Sequence, residues 1–307
     1  MTEAEIIERL RRLFPAIGDD AAVVGDQVIT TDMLIEDVDF TRATPIEFIA
    51  RKSVAVNLSD LAAMGATPSF AVVALGAPKW LDIEQFMTFV ASTAKNYSLE
   101  IVGGDLSRSE KLVVTVAAIG RAKRPLLRSG ARVGDRLFVS RPLGASSAGL
   151  QLLQSGASLD RPDLPYAWRE FSAAVMTRHL NPEPEVALGI ALAGIDAVTA
   201  CIDISDGLST DLNHLCDASK VGAEVERERI PRFPDIDRAG PALGIDVRQA
   251  VLHGGEELAL LFTASMRESE LSTRLGRPVY AIGRIVEQRG VRLDGEPLGA
   301  GGFDHFA

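Results

Sequence analysis

The first half of the chain is organised around the segment Val56-Asn-Leu-Ser-Asp-Leu-Ala-Ala-Met-Gly65, which belongs to its most apolar helical pattern. Upstream of it, Thr44-Pro45-Ile-Glu47 combines a capping residue, a first-turn proline and a glutamate at the third position after the cap. This combination is typical of a helix start, and Gly65 can end the helix. The apolar sequence between these signals predicts one long and mostly buried helix.

Strands and a further helix are predicted on both sides of this helix. The β-branched run Val28–Asp32 predicts a strand before it, and Leu81–Ser98 predicts a helix after it. Ile101–Val102 and Leu112–Gly120 are typical of strands, and Gly103-Gly104 predicts a tight turn between those two. The first half therefore mixes helices and strands.

The character of the sequence changes between Arg121 and Arg136, where basic residues are interrupted by Pro125, Gly130 and Gly134. Such a composition is typical of a domain boundary. We predict an N-terminal domain at residues 1–130 and a C-terminal domain at residues 131–307, each mixing α and β elements in an α+β two-domain fold. The elements predicted beyond the boundary are strands at Arg136–Ser140, Ala197–Ile204, Leu258–Thr263 and Tyr280–Ile285, and a helix at Asp206–Asp217.

Length, composition and charge exclude several classes of protein. With 307 residues, of which 47% are hydrophobic and 24% charged, the chain is typical of a globular protein rather than a disordered one. The apolar runs fall short of the ~18 residues that a bilayer span needs, and the first residues are too charged for a signal sequence, so we expect a cytoplasmic protein without membrane contact. A formal net charge of -10 argues against a nucleic-acid partner, and two isolated cysteines with four histidines argue against a zinc cage. Hard cations with oxygen ligands remain open.

The familiar phosphate-binding and kinase motifs are absent from the sequence. What recurs is an aspartate at a strand end or in a turn, flanked by small residues that let a ligand approach the backbone. Taken singly, such an aspartate has an equally good structural explanation, as a helix cap or a turn residue. The aspartates in this setting are Asp20, Asp32, Asp60, Asp105, Asp203 and Asp206.

Asp60 is harder to explain structurally, because it lies one helical turn from Asn57 on an otherwise apolar helix. Buried polar groups need partners, and Mg²⁺ with phosphate oxygens would supply them. Two further segments allow either a functional or a structural interpretation. The basic stretch around Arg128 suits either a phosphoryl group or a solvated linker, and the loop Gly144–Gly149 suits either an anion or close packing.

Seven motifs, in this order along the chain, resemble those of the thiamine-monophosphate kinase family. They are Gly18-Asp-Asp-Ala-Ala22, Thr30-Thr-Asp32, Val56-Asn-Leu-Ser-Asp-Leu-Ala-Ala-Met-Gly65, Val102-Gly-Gly-Asp105, Arg128-Ser-Gly-Ala-Arg-Val-Gly-Asp135, Ile202-Asp-Ile-Ser-Asp-Gly207 and Gly254-Gly-Glu-Glu257. The resemblance implies the fold of the aminoimidazole-ribonucleotide synthetase superfamily: an N-terminal α+β domain with a dimerising mixed sheet, and a C-terminal α/β domain across a cleft. It also implies transfer of a phosphoryl group from ATP to thiamine monophosphate, which gives thiamine diphosphate.

The resemblance implies roles for individual residues. The expected magnesium ligands, for several Mg²⁺ ions, are Asp20, Thr30, Thr31, Asp32, Asp60, Asp105, Asp203 and Asp206. The expected ATP contacts are Tyr97, Gly104, Asp105, Arg128 and Ser205, and the expected contacts to the thiamine substrate are Asp39, Glu256 and Phe303. Asp206 and Arg128 are the expected catalytic residues. Because phosphoryl transfer depends on positioning and charge neutralisation, no protein nucleophile is required.

The chain departs from the family pattern on the substrate side. Asp39-Phe40 stands where the family commonly has His-Phe, and Gly254-Gly-Glu-Glu-Leu-Ala259 stands for Gly-Gly-Glu-Asp-Tyr-Glu. An ionised aspartate cannot donate the hydrogen bond that a histidine can. Asp39 is therefore expected to turn to solvent, to bind through Mg²⁺, or to face the cationic thiazolium or the aminopyrimidine donors.

Other functions and assemblies stay open at this stage. One is another ATP-dependent enzyme of the same superfamily, similar to aminoimidazole-ribonucleotide synthetase, and another is a non-catalytic nucleotide-binding homologue. A homodimer is expected from the resemblance and from the strand Leu112–Gly120, which is apolar on both faces. Burial of both faces within one subunit explains that pattern equally well.

Overall fold

The computed structural model describes residues 3–14, 16–159 and 165–306. In chain order the helices are α1 (Glu3–Leu10), α2 (Ile46–Ala63), α3 (Ile83–Asn96), α4 (Ala145–Gln154), α5 (Arg169–Leu180), α6 (Val186–Ala193), α7 (Leu208–Ser219), α8 (Ile236–Leu243), α9 (Val247–His253) and α10 (Glu268–Leu275). The strands are β1 (Ala22–Val24), β2 (Gln27–Ile35), β3 (Thr67–Ala77), β4 (Glu100–Arg108), β5 (Val113–Arg121), β6 (Arg136–Val139), β7 (Val198–Asp203), β8 (Gly222–Val225), β9 (Leu260–Ala264), β10 (Tyr280–Val286), β11 (Gly290–Leu293) and β12 (Glu296–Pro297). In the described ranges, no helix has both the length and the apolar character needed to cross a membrane.

The chain forms two compact units, and neither is continuous in sequence. The first, here the five-strand unit, comprises Asp20–Pro125 and Glu183–Ala193. The second, the seven-strand unit, comprises the described parts of Met1–Asp19, Leu126–Pro182 and Gly194–Ala307. The division into residues 1–130 and 131–307 stays a prediction, and the compact units depart from it at the N-terminal segment and at Glu183–Ala193. The second departure arises because α6 packs against α2 of the five-strand unit.

The five-strand unit is a mixed sheet in the order β1-β2-β5-β3-β4, in which only β3 and β4 pair in parallel among its described strands. The predicted long helix is confirmed as α2, which follows Pro45 and ends before Gly65. Gly65 has a φ of +64°, the left-handed conformation that glycine adopts without strain. Gly189 of α6 lies so close to Ala62 that an added Cβ would be 1.9 Å from the Ala62 carbonyl oxygen. Helices α2 and α6 therefore meet backbone to backbone.

The predicted turn at Gly103-Gly104 is wrong, because β4 continues straight through both glycines. The register moves from the pair Ala71–Ile101 to the pair Val72–Gly103, so one extra residue of β4 forms a bulge there. A Cβ on Gly104 would lie 1.8 Å from the Val73 carbonyl oxygen. The glycines thus let β4 lie against β3 rather than reverse the chain. Strand β3 itself was missed by the sequence analysis, although it is central in the sheet.

The two faces of the five-strand sheet differ in burial. Val114, Val116 and Ala118 of β5 are fully buried on the face that α2 covers. Alternate residues of the same strand, from Val113 to Ile119, are only half-buried on the other face. Next to them, Met33 of β2 is 53% exposed and Val72 of β3 is 39% exposed. This second surface, here the open face, is apolar and uncovered by any described residue of the five-strand unit.

The seven-strand unit is also built on a mixed sheet, in the order β12-β11-β8-β10-β6-β9-β7. Among its described strands only β8 and β11 pair in parallel. The predicted strands after residue 131 are confirmed as β6, β7, β9 and β10, and the predicted helix after Asp206 is confirmed as α7. Leu137, Ile202 and Leu261 of this sheet are completely buried in one continuous core. The ends of β7 and β9 lie in that core. The loops that carry the candidate functional residues of this unit adjoin these strand ends.

Candidate active site

In the five-strand unit, Thr30 and Asp60 form the first part of the candidate site. Side chains alternate along β2, so Thr30 points toward α2, where its hydroxyl donates to the Asp60 carboxylate. The same hydroxyl lies 3.5 Å from the backbone carbonyl oxygen of Asp20. Thr31 points the other way, and its hydroxyl donates to the Val116 carbonyl at 3.1 Å. The structure therefore brings together Asp20, Thr30 and Asp60, and it places the Thr31 side chain apart from them.

Asn57 has protein partners, contrary to the expectation that it needs a bound metal. Its Nδ2 donates to the Ser53 carbonyl at 3.0 Å, and its Oδ1 accepts from the Asp32 amide at 3.1 Å. The side chain is completely buried, so these bonds satisfy it where water has no access. Asn57 thus connects α2 to β2 and fixes the backbone at Asp32. The polar residues on this apolar helix do have bonding partners, as their pattern predicted. For Asn57, however, these partners are backbone groups of the protein rather than a bound metal.

The expected nucleotide residues of this unit lie around β4. Asp105 is exposed on β4 and accepts a hydrogen bond from the Ser107 hydroxyl at 3.2 Å. Gly104 precedes it in the bulged segment that contacts Val73. Tyr97 caps the C-terminus of α3, with its amide donating to the Ala94 carbonyl at 3.1 Å. These residues share the end of α3 and the strand that follows it.

Asp39 occupies a turn directly after β2. Its carboxylate accepts the Ile35 amide at 2.7 Å, and its own amide donates to the Ile35 carbonyl at 3.0 Å. Asp39 therefore closes the turn onto the end of the strand, a use of its carboxylate that the sequence alternatives did not include. Asp37 in the same turn has a φ of +69°. That conformation is uncommon for a residue other than glycine, and the bonds of Asp39 help to hold it.

In the seven-strand unit, the end of β7 and the start of α7 carry a group of acidic residues. Asp203 ends β7 and is 2% exposed. Ligand atoms of Asp206, Asp211 and His214 lie within 4.8 Å of one another. The Asp211 carboxylate accepts the amides of Asp206 and Gly207 at 3.2 and 3.0 Å. Burial raises the pKa of Asp211 well above its usual value, and the charges of Asp206 and Asp203 raise it further.

Asp211 and His214 were missed by the sequence analysis. A signal for Asp211 was present, because an aspartate in the first turn of a helix is placed to accept backbone amides of the preceding loop. His214 lies one turn further along α7, on the side that Asp211 also faces. Both therefore follow from the helical spacing after the Ile202-Asp-Ile-Ser-Asp-Gly207 motif.

Arg128 lies in an anchored segment rather than in a solvated linker. Its amide donates to the Asp19 carboxylate at 2.9 Å, and its carbonyl accepts the Ser219 hydroxyl at 2.8 Å. Ser219 Oγ also accepts the amides of Gly130 and Ala131, each at 3.1 Å. The positive charge of Arg128 lowers the pKa of Asp211, although less than burial raises it. Its guanidinium therefore acts electrostatically on the acidic group at the start of α7.

Ser205 and Glu256 lie on two loops that are joined by their backbones. The Glu256 amide donates to the Ser205 carbonyl at 2.7 Å, and the Leu258 amide donates to the Ile204 carbonyl at 3.0 Å. Glu256 and Leu258 have φ angles of +56° and +46°. Left-handed conformations of such residues cost roughly 1 to 3 kcal/mol and persist only where the surroundings enforce them. Local backbone strain therefore coincides with a predicted substrate contact.

Two amides of the loop Gly144–Gly149 are bound by an acidic side chain of the protein. Glu257 occupies the N-terminus of α4, where its carboxylate accepts the amides of Gly144 and Ser146 at 2.9 and 3.0 Å. Burial raises the pKa of Glu257 to about 7, against the lowering effect of these two hydrogen bonds. Of the two interpretations that the sequence left open for this loop, an anion or close packing, the structure shows an acidic side chain of the protein at the start of α4.

The C-terminal segment brings Phe303 to the loop that contains Asp206. The Phe303 amide donates to the Asp206 carbonyl at 3.2 Å, and the Gly302 amide donates to the Thr210 hydroxyl at 3.0 Å. Phe303 is 52% exposed, and its ring packs edge to face against the His305 ring, with the two ring centroids 4.7 Å apart. The exposed ring is thus held by backbone bonds to α7 and its preceding loop.

Known proteins share this architecture along nearly the whole chain. Residues 18–122 match the family of AIR synthase related proteins, N-terminal domain, and residues 132–296 match the C-terminal domain of that family. A thiamine-monophosphate kinase of Haemophilus influenzae is 37% identical, with 95% of this chain and 91% of that protein covered. One from Aquifex aeolicus is 35% identical, with 94% and 92% covered. The structure of AaThiL complexed with AMPPCP and TMP superposes with a TM-score of 0.89 at 33% identity, covering 99% of this chain and 97% of that one.

Proposed function

The chain belongs to the thiamine-monophosphate kinase family, and from that membership we propose that it transfers the γ-phosphoryl group of ATP to thiamine monophosphate in thiamine diphosphate biosynthesis. The observation that carries the proposal in this structure is the 2.7 Å bond between the Glu256 amide and the Ser205 carbonyl. It joins Ser205, which we propose to contact the nucleotide, to Glu256, which we propose to contact the thiamine substrate. A phosphoryl transfer requires that donor and acceptor sites be held together in this way.

The proposed mechanism is a direct in-line attack by a phosphate oxygen of thiamine monophosphate on the γ-phosphorus of ATP, with ADP leaving. A substrate phosphate is largely ionised near neutral pH, so the reaction needs no strong general base. Arg128 is proposed to stabilise negative charge on the transferring group, since a guanidinium suits phosphoryl oxygens. Asp206 is proposed as the second catalytic residue. Its carbonyl accepts a hydrogen bond from the Phe303 amide, and its own amide donates to the Asp211 carboxylate, so its backbone is held on both sides.

Magnesium fits the residues that the structure provides. The donors are carboxylates and a hydroxyl, the hard oxygen ligands that Mg²⁺ prefers, and the Thr30–Asp60 pair is already assembled on adjacent elements. The residues proposed to hold several Mg²⁺ ions are Asp20, Thr30, Thr31, Asp32, Asp60, Asp105, Asp203 and Asp206. For Thr31 the proposal rests on its backbone, because its side chain points away from Thr30. Bound Mg²⁺ would neutralise charge on the phosphate groups of ATP and of the acceptor.

The remaining contacts are proposed from the matched motifs. ATP is assigned to Tyr97, Gly104, Asp105, Arg128 and Ser205, and the thiamine substrate to Asp39, Glu256 and Phe303. The exposed Phe303 ring suits stacking on an aromatic or cationic ring of the substrate. Asp39 is proposed to act through the shape of its turn, since its carboxylate accepts the Ile35 amide.

Product analysis with ATP, Mg²⁺ and thiamine monophosphate tests the function. We expect thiamine diphosphate and ADP in equal amounts. In a parallel incubation with ATP and the substrate of aminoimidazole-ribonucleotide synthetase, a cyclised imidazole product would instead identify an enzyme similar to that synthetase. ATP binding without turnover of either substrate would identify a non-catalytic homologue and contradict the proposal.

We further propose a homodimer formed through the open face of the five-strand sheet. Rows of paired residues, such as Thr31–Ala117–Val72 and Met33–Thr115–Ala74, run across this face. An apolar surface of this kind on a sheet is typical of a protein–protein interface, and a second copy would cover it with the same self-complementary residues. Sedimentation at micromolar concentration tests this proposal, and a species of 32.8 kDa, the mass of one chain, would contradict it.

A further inference from the structure

The imidazole of His179 contacts Glu256, the proposed substrate residue, from a buried position. His179 lies near the end of α5 and is 7% exposed. Its Nδ1 is 3.2 Å from Glu256 Oε2 and also 3.2 Å from the Ser146 hydroxyl oxygen. Because a carboxylate only accepts hydrogen bonds, a favourable contact with Glu256 requires a proton on Nδ1, and on this ground we assign that tautomer to His179. His179 is therefore a fixed donor to a glutamate whose side chain is 29% exposed.

The surroundings of this contact are rigid on both sides. Ser146 stands in the first turn of α4, where its amide is bound by the Glu257 carboxylate. The backbone of Glu256 is bound to Ser205 and has the strained φ of +56°. Only the side-chain torsions of Glu256 remain to be fixed. The contact with the buried imidazole of His179 restricts the side-chain torsions of Glu256. The exposed part of the Glu256 carboxylate is therefore held in one orientation.

We propose that His179 is a positioning residue that holds the Glu256 carboxylate in the orientation required to bind the acceptor substrate. This inference rests on the proposed function, in which Glu256 contacts the thiamine substrate. A histidine that only filled space in the core would be satisfied by Ser146, and it would not be placed at the same distance from a partly exposed carboxylate on a strained loop. The effect is specific to the acceptor, because His179 donates to the acceptor residue and has no assigned nucleotide contact.

Two replacements of His179 separate positioning from packing. His179→Leu keeps a similar volume and removes the donor, whereas His179→Asn retains an N–H near the place of Nδ1–H. We expect His179→Leu to raise KM for thiamine monophosphate about tenfold while KM for ATP changes less than about twofold. We expect His179→Asn to recover KM for the acceptor to within about threefold of the wild type. Calorimetric titration with thiamine monophosphate in the absence of ATP should show the same ranking of affinities.

Ser172→Ala is the matched control, because Ser172 is a completely buried polar residue of the same helix and its hydroxyl has no hydrogen-bond partner in the part of the chain that the structure describes. This variant should keep both KM values. In a Glu256→Ala background, His179→Leu should add little to the change in KM, since Glu256→Ala already removes the carboxylate that His179 contacts.

The outcomes distinguish this inference from the proposed function. An active wild type whose His179→Leu variant matches Ser172→Ala, or loses ATP and acceptor affinity equally, overturns the positioning role alone. A wild type that neither binds nor converts thiamine monophosphate overturns both. Should His179→Leu fail to fold, His179→Asn is compared with His179→Met, which also lacks a side-chain N–H. A KM for the acceptor that is raised in His179→Met and near the wild-type value in His179→Asn supports the role, and equal KM values in the two variants overturn it.

Discussion

The amide of Ser146 donates a hydrogen bond to the buried carboxylate of Glu257 at 3.0 Å. With the second bond from Gly144, this contact caps α4 with an acidic side chain at the positive end of the helix. The same loop presents Glu256, so the cap joins the start of α4 to the proposed substrate site. A glutamate at position 257 therefore contributes to the shape of the proposed site from a buried position.

The first prediction concerns the pH dependence of stability at Glu257. Its pKa is about 7 in the folded protein against a usual value of 4.5, so the folded state binds this proton more tightly than the unfolded state does. Stability therefore falls as pH rises from 4.5 to 7 and is level above pH 7. At about 1.4 kcal/mol for each pKa unit, the loss is on the order of 3 kcal/mol. Glu257→Gln should remove it.

Urea unfolding of both proteins at pH 5 and pH 8 checks this prediction. The difference in free energy of unfolding, wild type minus variant, should be more favourable to the wild type at pH 5 than at pH 8. Identical pH dependence in the two proteins would show that Glu257 does not bind its proton differently on folding.

The second prediction concerns the proposed metal ligands. Asp60→Asn keeps a carbonyl oxygen for the Thr30 hydroxyl but removes the charge that Mg²⁺ needs. We expect this variant and Asp105→Asn to lose at least about 100-fold in turnover. Both should melt near the wild-type temperature alone and lose most of the stabilisation by Mg²⁺ with an ATP analogue. Asp26→Asn, at an exposed carboxylate paired with Arg121, is the control and should behave as wild type. Near-wild-type turnover of both site variants at limiting Mg²⁺ would exclude them as ligands.

Sequence patterns predicted the main helix of the five-strand unit and the strands that carry the acidic motifs, but they missed β3 and Asp211 and did not show how some residues are used. Alternation along β2 already separates Thr30 from Thr31, yet a motif written as Thr-Thr-Asp treats them alike. Gly103-Gly104 has the composition of a turn, and only the position of β3 shows that the glycines permit close strand pairing. Asn57 and Glu257 have the polarity of ligand-binding residues. The Asp32 amide that Asn57 accepts and the Gly144 and Ser146 amides that Glu257 accepts lie on distant segments, which no local pattern specifies.

The third prediction concerns Asp211, which lies beside Asp203 and Asp206. These three carboxylates repel one another, as the raised pKa of Asp211 indicates. Asp211→Asn keeps an oxygen that accepts the amides of Asp206 and Gly207 and removes one of the charges. Without Mg²⁺ we expect the free energy of unfolding at pH 8 to rise by on the order of 1 kcal/mol. Thermal unfolding without metal measures the change, and a lower melting temperature would show that the charge of Asp211 stabilises the fold.

The fourth prediction tests which surface forms the dimer. Val72→Glu places a charge on the open face, where burial without a partner is costly, and the variant should sediment as a monomer at micromolar concentration. Ile190→Glu, at a similarly exposed apolar residue of α6, serves as the control and should remain a dimer. Dimerisation that survives Val72→Glu and is lost in Ile190→Glu would move the interface to the helical side of this unit.

The last prediction concerns Asp39, the departure from the family pattern. Its carboxylate accepts the Ile35 amide at 2.7 Å and so stabilises the turn that follows β2. If the turn is what matters, an acceptor for that amide is needed and a negative charge is not. Asp39→Asn should then keep KM for thiamine monophosphate, and Asp39→Ala should lose on the order of 1 kcal/mol of stability. Asp39→His should retain activity within about tenfold, or ~1.4 kcal/mol in the activation free energy. The contrary outcome is a large rise in the acceptor KM of Asp39→Asn with an unchanged melting temperature. The turn would then be intact and only the electrostatic attraction to the substrate would be weaker, which would show that the charge of Asp39 faces the cationic thiazolium.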